Sequence, residues 1–450
     1  MSGGGASGWL HPRRWLLAAA ILGAAVIFVR MAQPEKQAAP RFPQPDQTAP
    51  VRGNYASDLS ALTAQIDAME RTAPQRLNDW LTWEDIARAY HRRSRMTGSF
   101  DDLVKAQSAI EKAFTLTTPG AGPHLTQAVI HFSSHRLTGT EAALDAIDRY
   151  KAPPPLTEQT DAAALRGDVA FYRGDVAAAK RSYAAAEALL PGEGTAYRRA
   201  IIAWRSGDRA EADRQFKLAE GANTVPTSGG QANLLLQRAA LALEFGDRET
   251  ASKLIEAADA LYPGDWRIAM RKAQIDALEG RMEQAISAFE GIADRAGNPE
   301  PMDIAAGLSR SLGDPVNTRK WADRARAVWT QRIAALPEAS WGHALEHELA
   351  FGDPKRALIY AARNHRARPF SEALVGLAKA WLANGRMDYA LALTARATRQ
   401  GWNSVELHLV EAEAFALLGK GEEAEAARAR AVALNPKALE RNPAFVWLSH

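Results

Sequence analysis

The 450-residue chain contains no cysteine. That excludes disulfides, thiol nucleophiles and thiolate metal sites, and it is compatible with an extracytoplasmic location. A dominant charge sign is also missing. Fifty-five Lys and Arg face 52 Asp and Glu, a net charge of +3. The basic isoelectric point rests on that small excess and gives no nucleic-acid footprint. No glycine-rich phosphate loop, serine elbow or dinucleotide fingerprint is present; the glycines of RGDVAFYRGD fit helix contacts and turns. Long apolar runs are scarce as well. Trp15–Val29, WLLAAAILGAAVIFV, has fifteen residues, short of the roughly 20 of an ordinary membrane-spanning helix.

What is present is a helical hairpin. Asp161 to Pro191 reads DAAALRGDVAFYRGDVAAAKRSYAAAEALLP. Gly174–Asp175 splits it into two helical patterns, since glycine takes the left-handed conformation that ends a helix. Pro191 cannot continue the second helix. Small residues at Gly167, Ala170, Ala179 and Ala186 let the two helices approach, and Tyr183 fills the remaining space.

The unit recurs. Turn glycines fall at Gly174, Gly207, Gly246, Gly280, Gly313, Gly352, Gly385 and Gly419, at gaps of 33, 39, 34, 33, 39, 33 and 34 residues. First-helix residues Trp83, Ile86, Ala87 and Tyr90 belong to the same pattern. Second-helix residues include Ala212, Phe216 and Ala219; Ala251, Ile255, Ala258 and Pro263; Ala285 and Phe289; and Ala424, Ala431 and Pro436. This resembles the tetratricopeptide repeat, whose period is 34, over roughly residues 80–436. The resemblance implies an all-α fold: a right-handed superhelical solenoid of antiparallel helix pairs, about ten hairpins long, here with an N-terminal transmembrane helix.

Arg13 and Arg14 precede the apolar run and Arg30 follows it. We read residues 1–32 as an uncleaved signal anchor, a cleaved signal peptide being the alternative. The flanking charges point both ways; the short leading tail places the body outside the cytoplasm. Residues 33–56, with Pro34, Pro40, Pro43, Pro45 and Pro50, form an extended linker. The solenoid occupies 57–436, led by a helix with Leu59, Leu62, Ile66 and Met69 at helical spacing. Residues 437–450, with Phe445 and Trp447, are expected to cap the last hairpin. Irregularities are expected at a long turn over Met96–Asp102, in the divergent unit His124–Tyr150, at a break over Lys151–Leu156 and at a loop over 224–231. The unit around Gly313 also has Thr318 in place of alanine.

Arg166, Arg199, Arg238 and Lys272 share one place in four consecutive hairpins. Their stems would pack while their heads pair with acids such as Asp168 or Asp208; a basic ladder facing an anionic partner is the alternative. His343-Ala-Leu-Glu346-His347 matches the H-x-x-E-H zinc motif. His343 and His347 lie one turn apart with Glu346 as base, but the pattern is short and its helical context differs. A third ligand would have to come from another helix, such as Glu422 or Glu423. His131 and His135 are a second i, i+4 pair. No catalytic residue, metal or cofactor is expected; a zinc-dependent hydrolase and a metal-binding accessory protein are the alternatives.

In the family, first helices line the concave groove where peptides or protein segments bind. Carried over by position, the groove residues are Arg88, His91, Arg92, Phe171, Tyr172, Tyr197, Trp204, Arg205 and Arg267. Inward positions also fall at Glu84, Asp168, Met270, Gln274, Glu372, Lys379, Glu406 and Glu413. The resemblance implies a membrane-anchored scaffold, not an enzyme, that binds a protein or peptide partner and no nucleic acid. Its expected place is the bacterial inner membrane, single-pass, with the repeats in the periplasm, in envelope assembly, secretion or transport.

Overall fold

The computed structural model describes residues 54–440 apart from 77, 119 and 223–226. The expected anchor, nearly all of the linker, and Phe445 and Trp447 lie outside the described residues. Among the described residues no helix is long and apolar enough to cross a membrane.

Among the described residues a leading helix, α1 (Tyr55–Thr72), is followed by ten hairpins. They are α2 (Trp80–Thr97) with α3 (Phe100–Phe114), α4 (His124–Ser133) with α5 (Leu137–Asp148), α6 (Leu156–Tyr172) with α7 (Val176–Leu189), α8 (Glu193–Arg205) with α9 (Arg209–Ala222), and α10 (Ser228–Glu244) with α11 (Arg248–Leu261). The second five are α12 (Trp266–Leu278) with α13 (Met282–Ala296), α14 (Pro299–Ser311) with α15 (Pro315–Ala335), α16 (Pro337–Phe351) with α17 (Pro354–Ala367), α18 (Ser371–Ala383) with α19 (Met387–Arg399), and α20 (Val405–Leu417) with α21 (Gly421–Leu434).

Two residues punctuate a typical hairpin. The glycine is left-handed, as at Gly174, Gly207 and Gly246, and the aspartate after it accepts from the first free amides of the next helix. Asp175 takes the Ala178 N–H and Asp247 the Thr250 N–H, which satisfies donors that a helix start otherwise leaves open. Gly352 is the exception, with φ −118°.

Several expected irregularities are absent. Hairpin 1 turns on Gly98–Ser99 alone, the serine capping Asp102, so the turn over Met96–Asp102 is short. Lys151–Leu156 does not break the array: Ala143, Leu144 and Ile147 of α5 share one buried cluster with Ala162, Leu165 and Val169 of α6. Residues 228–231 are already helix, started by a Thr227 cap on the Gly230 N–H. Thr318 bonds back to the Asp314 carbonyl at 2.6 Å, while Trp321, Ala325 and Trp329 fill the hairpin.

The seams are built from alanine and one large side chain. Ala179, Tyr183 and Ala186, then Ala212, Phe216 and Ala219, then Ala251, Ile255 and Ala258 are all buried. A Cβ on Gly167 would lie 2.2 Å from the Tyr183 ring, so that glycine makes room for it. Truncating Phe216, which is fully buried, would cost about 3–5 kcal/mol. Between hairpins runs a ladder of ion pairs. Arg166 pairs with Asp148, Arg199 with Glu187, Arg238 with Asp213 and Glu220, and Lys272 with Asp259. Each rung joins a first helix to the second helix of the hairpin before it. The acids are therefore not Asp168 or Asp208.

The array winds back on itself at a constant register of six hairpins. The turn of hairpin 1 meets the start of hairpin 7: Arg332 donates to the Gly98 carbonyl, and Asn298 lies against Gly98. His135, in the turn of hairpin 2, bonds the Glu338 carbonyl at the start of hairpin 8. Arg173 beside the third turn reaches the Ala367 carbonyl, and a Cβ on Gly174 would lie 2.8 Å from the Pro369 carbonyl. The Asn403 N–H donates to the Arg205 carbonyl at 2.9 Å. The Asn435 side chain donates to the Glu244 carbonyl at 3.1 Å. Tyr262, just before hairpin 6, bonds Asp58 of α1. Two superhelical turns are thus stacked in contact. Residues 437–440 lie at the turn of hairpin 5, where Arg248 pairs with Glu440. This part of the expected cap sits on an earlier hairpin because the second turn ends there.

Candidate functional site

First helices face inward in the first superhelical turn. On α8, Tyr197, Ile201 and Arg205 recur every four residues and so form one row. Asp168 and Tyr172 do the same on α6. With His91 and Arg95 of α2, Phe132 of α4 and Gln237 of α10, they surround a cavity of about 720 Å³. Arg368, Phe370 and Glu372 close it from the second turn.

The cavity takes six of the expected groove residues: His91, Phe171, Tyr172, Tyr197, Trp204 and Arg205. Three lie elsewhere. Arg88 is on the same helix but lines a separate pocket and bonds Glu84 and Thr126. Arg92 is exposed and outside the cavity wall. Arg267 folds back onto buried Asp265 at the head of α12. Some of the six are also structural. Phe171 and Tyr172 pack on Phe370 across the two turns. Arg205 pairs with Glu372 at 3.5 Å and lies over the Trp204 and Trp402 rings, so it clamps the turns together.

The wall sets the cations Arg95, Arg198, Arg205 and Arg368 beside the acids Asp168, Glu193 and Glu372. Asp168 is saturated by Arg198, through two 2.7 Å bonds, and by the Tyr183 hydroxyl at 2.9 Å. Desolvation, reinforced by the Asp168 charge, pushes the Tyr183 phenol far up. Arg368 is almost fully buried; one amino group bonds Asn364. Its Nε has no partner, and neither does the buried Nε1 of Trp204. Burial pulls the Arg368 pKa down, yet a guanidinium remains charged at neutral pH. Arg95 makes no ion pair among the described residues. Burial lowers His91 to about 4, so at neutral pH it is an uncharged partner of Ser133, 2.7 Å away. Such a wall suits a ligand rich in oxygen acceptors, with apolar groups for its rings. Backbone carbonyls and carboxylates of a peptide have that character.

The zinc-motif residues disperse to separate partners. His347 Nδ1 is 2.6 Å from Asp303, which also accepts from Trp329 Nε1 at 2.8 Å. His343 pairs with Glu300 at 3.0 Å. Glu346 turns to Lys379, which also holds Glu406 at 2.7 Å. His135 lies past the end of α4 in a left-handed turn, φ 60°, so it does not share a helical face with His131. Among the described residues no group of three or more His, Asp and Glu could hold a metal ion.

Arg95 was within reach of sequence reasoning, one turn after His91. Arg368 and Phe370 were not, since nothing near them in sequence points to α6 and α8.

No family model matches this chain, and no curated protein does. Solved structures resemble it at low identity. The Rap protein complexed with competence and sporulation factor is 14% identical over 70% of this chain and 98% of that one, with a TM-score of 0.43. A tetratricopeptide repeat protein from Parabacteroides merdae is 14% identical over 54% and 93%, TM-score 0.32. The P58(IPK) tetratricopeptide domain is 13% identical over 82% and 97%, TM-score 0.26. The fold is a tetratricopeptide-type array on this chain's own geometry: ten sequential hairpins, alanine seams and glycine turns at the repeat's period.

Proposed function

We propose that this protein is a membrane-anchored scaffold that holds a segment of a partner protein inside its first superhelical turn, serving assembly, secretion or transport at a bacterial envelope. One observation carries the reading: the 720 Å³ interior cavity, lined by aromatic rings and by the guanidinium groups of Arg95, Arg198, Arg205 and Arg368. Aromatic and Arg residues at the centre of an interface supply most of its binding energy. The apolar run at residues 15–29 supports the anchor.

The test is site-specific photocrosslinking in native membranes. A benzophenone side chain at position 197 should give a discrete crosslinked product, lost when Arg95→Ala is added. The same probe at exposed Glu249 on α11 is the control. Identical products from both positions, or none from position 197, would count against a captured segment. Arg205 is unsuited to this test because removing it loosens the stacked turns. Retention in the membrane after an alkaline carbonate wash tests the anchor separately.

A further inference from the structure

Charge is unevenly distributed over the outer layer. The second helices of hairpins 7, 8 and 9 (α15, α17 and α19) hold eleven Lys and Arg against two Asp. The other seven second helices hold twelve against nineteen Asp and Glu. Near-neutral composition hides a face with a strong cationic excess.

That face is open. Arg319, Lys355, Arg363, Arg366, Arg396 and Arg399 are all exposed, and none makes an ion pair among the described residues. The three helices are neighbours: Tyr360 of α17 packs on the cluster that holds Trp329 of α15, and Leu393 of α19 joins the cluster of Ala357 and Ala361. Exposed apolar side chains lie among the cations, Ile359 at 47% and Tyr389 at 45% of full exposure. Tyr389 stacks on Trp381.

We propose that this outer face docks the protein body onto a bilayer of anionic phospholipids. Lipid is favoured over other polyanions by two features. Exposed Ile and Tyr interleaved with Arg suit the headgroup boundary, where rings and aliphatic chains enter and guanidinium groups stay with the phosphates. The apolar run at residues 15–29 and the proline-rich spacer after it would also place a bilayer nearby. This second argument rests on the anchored half of the proposed function. Each cation near an anionic surface strengthens partitioning about fivefold, and the effect fades within a Debye length.

The absence of cysteine makes the test direct. Full-length protein carrying Ile359→Cys, labelled with an environment-sensitive fluorophore, is mixed with phosphatidylcholine vesicles or with vesicles containing 30% phosphatidylglycerol. Flotation on phosphatidylcholine reads the anchor. The fluorophore reads docking. Docking predicts a blue shift on anionic vesicles only. The shift should disappear in 0.5 M salt and be absent from a Glu249→Cys control. In R363E/R366E/R396E/R399E the lipid concentration needed should rise at least a hundredfold, with the circular dichroism spectrum unchanged. Flotation without a shift overturns docking and leaves the anchor standing; a shift without flotation on phosphatidylcholine does the reverse. Tight binding of a 30-base-pair DNA duplex with no response to anionic lipid also overturns the proposal, in favour of a nucleic-acid surface.

Discussion

Stacking of the two superhelical turns predicts an asymmetry among glycines that look alike in sequence. Gly207 and Gly246 lie under the second turn. A Cβ at Gly207 would fall 2.5 Å from Nδ2 of Asn403, and one at Gly246 would fall 2.4 Å from Oδ1 of Asn435. Gly313, Gly385 and Gly419 have the same left-handed backbone but nothing within 4 Å of that position. Alanine at any of the five pays for the left-handed conformation, about 1–2 kcal/mol. At Gly207 and Gly246 it must also displace an amide held against the turn, an overpacking cost of about 1–3 kcal/mol. The difference between the groups is therefore about 1–3 kcal/mol. Arrays of this kind open locally, so a global melting curve is a poor reporter. Hydrogen exchange at the Asn403 amide, which bonds the Arg205 carbonyl across the seam, reads the seam itself. Gly207→Ala should reduce its protection by roughly fivefold to a hundredfold, and Gly385→Ala should leave it unchanged. A double-mutant cycle with Asn403→Ala should recover the overpacking share. Equal losses at Gly207 and Gly385 with unaltered Asn403 exchange would refute the stacked arrangement.

Four further outcomes follow from buried groups. Lys379→Met leaves Glu346 and Glu406 facing each other without their shared cation and should destabilise hairpins 8–10 by about 3–5 kcal/mol, partly relieved by Glu346→Gln; local hydrogen exchange checks it. Gly167→Ala should cost about 1–3 kcal/mol through contact with the Tyr183 ring, with Tyr183→Leu restoring part of the loss in denaturant titrations. His91, lowered by burial to about 4, makes the folded state bind fewer protons than the unfolded chain between about pH 6.5 and 4. Stability should fall across that window as pH drops, by up to about 3 kcal/mol from this group, and His91→Gln should flatten that part of the profile. On the ion-pair ladder, Arg238→Met breaks contacts to two acids from a site 15% exposed and should cost about 1–2 kcal/mol. Arg166→Met breaks one pair whose acid is 65% exposed and should cost under about 0.5 kcal/mol, both by thermal unfolding.

Local chemistry was readable in the linear chain. Glycine before aspartate marks a helix end beside a helix start. Alanine seven residues from alanine, with Tyr183 or Phe216 between, marks a close seam. Both signals act within one hairpin, so hairpin number and order were legible, as was the inward direction of α6 and α8. Irregularities were overstated where a turn used other residues for the same task, Ser99 for aspartate and His135 for glycine. The ladder was placed correctly and its acids were not, because each basic residue reaches back to the preceding hairpin.

The six-hairpin register, the Arg368 and Phe370 side of the cavity and the cationic face of α15, α17 and α19 emerge only in three dimensions. A superhelix sums a small rotation at every hairpin interface, and no one interface encodes the total. Residues some two hundred positions apart meet because six such rotations bring the chain full circle. Composition reports the sum of charges, whereas a surface depends on which side of each helix they occupy.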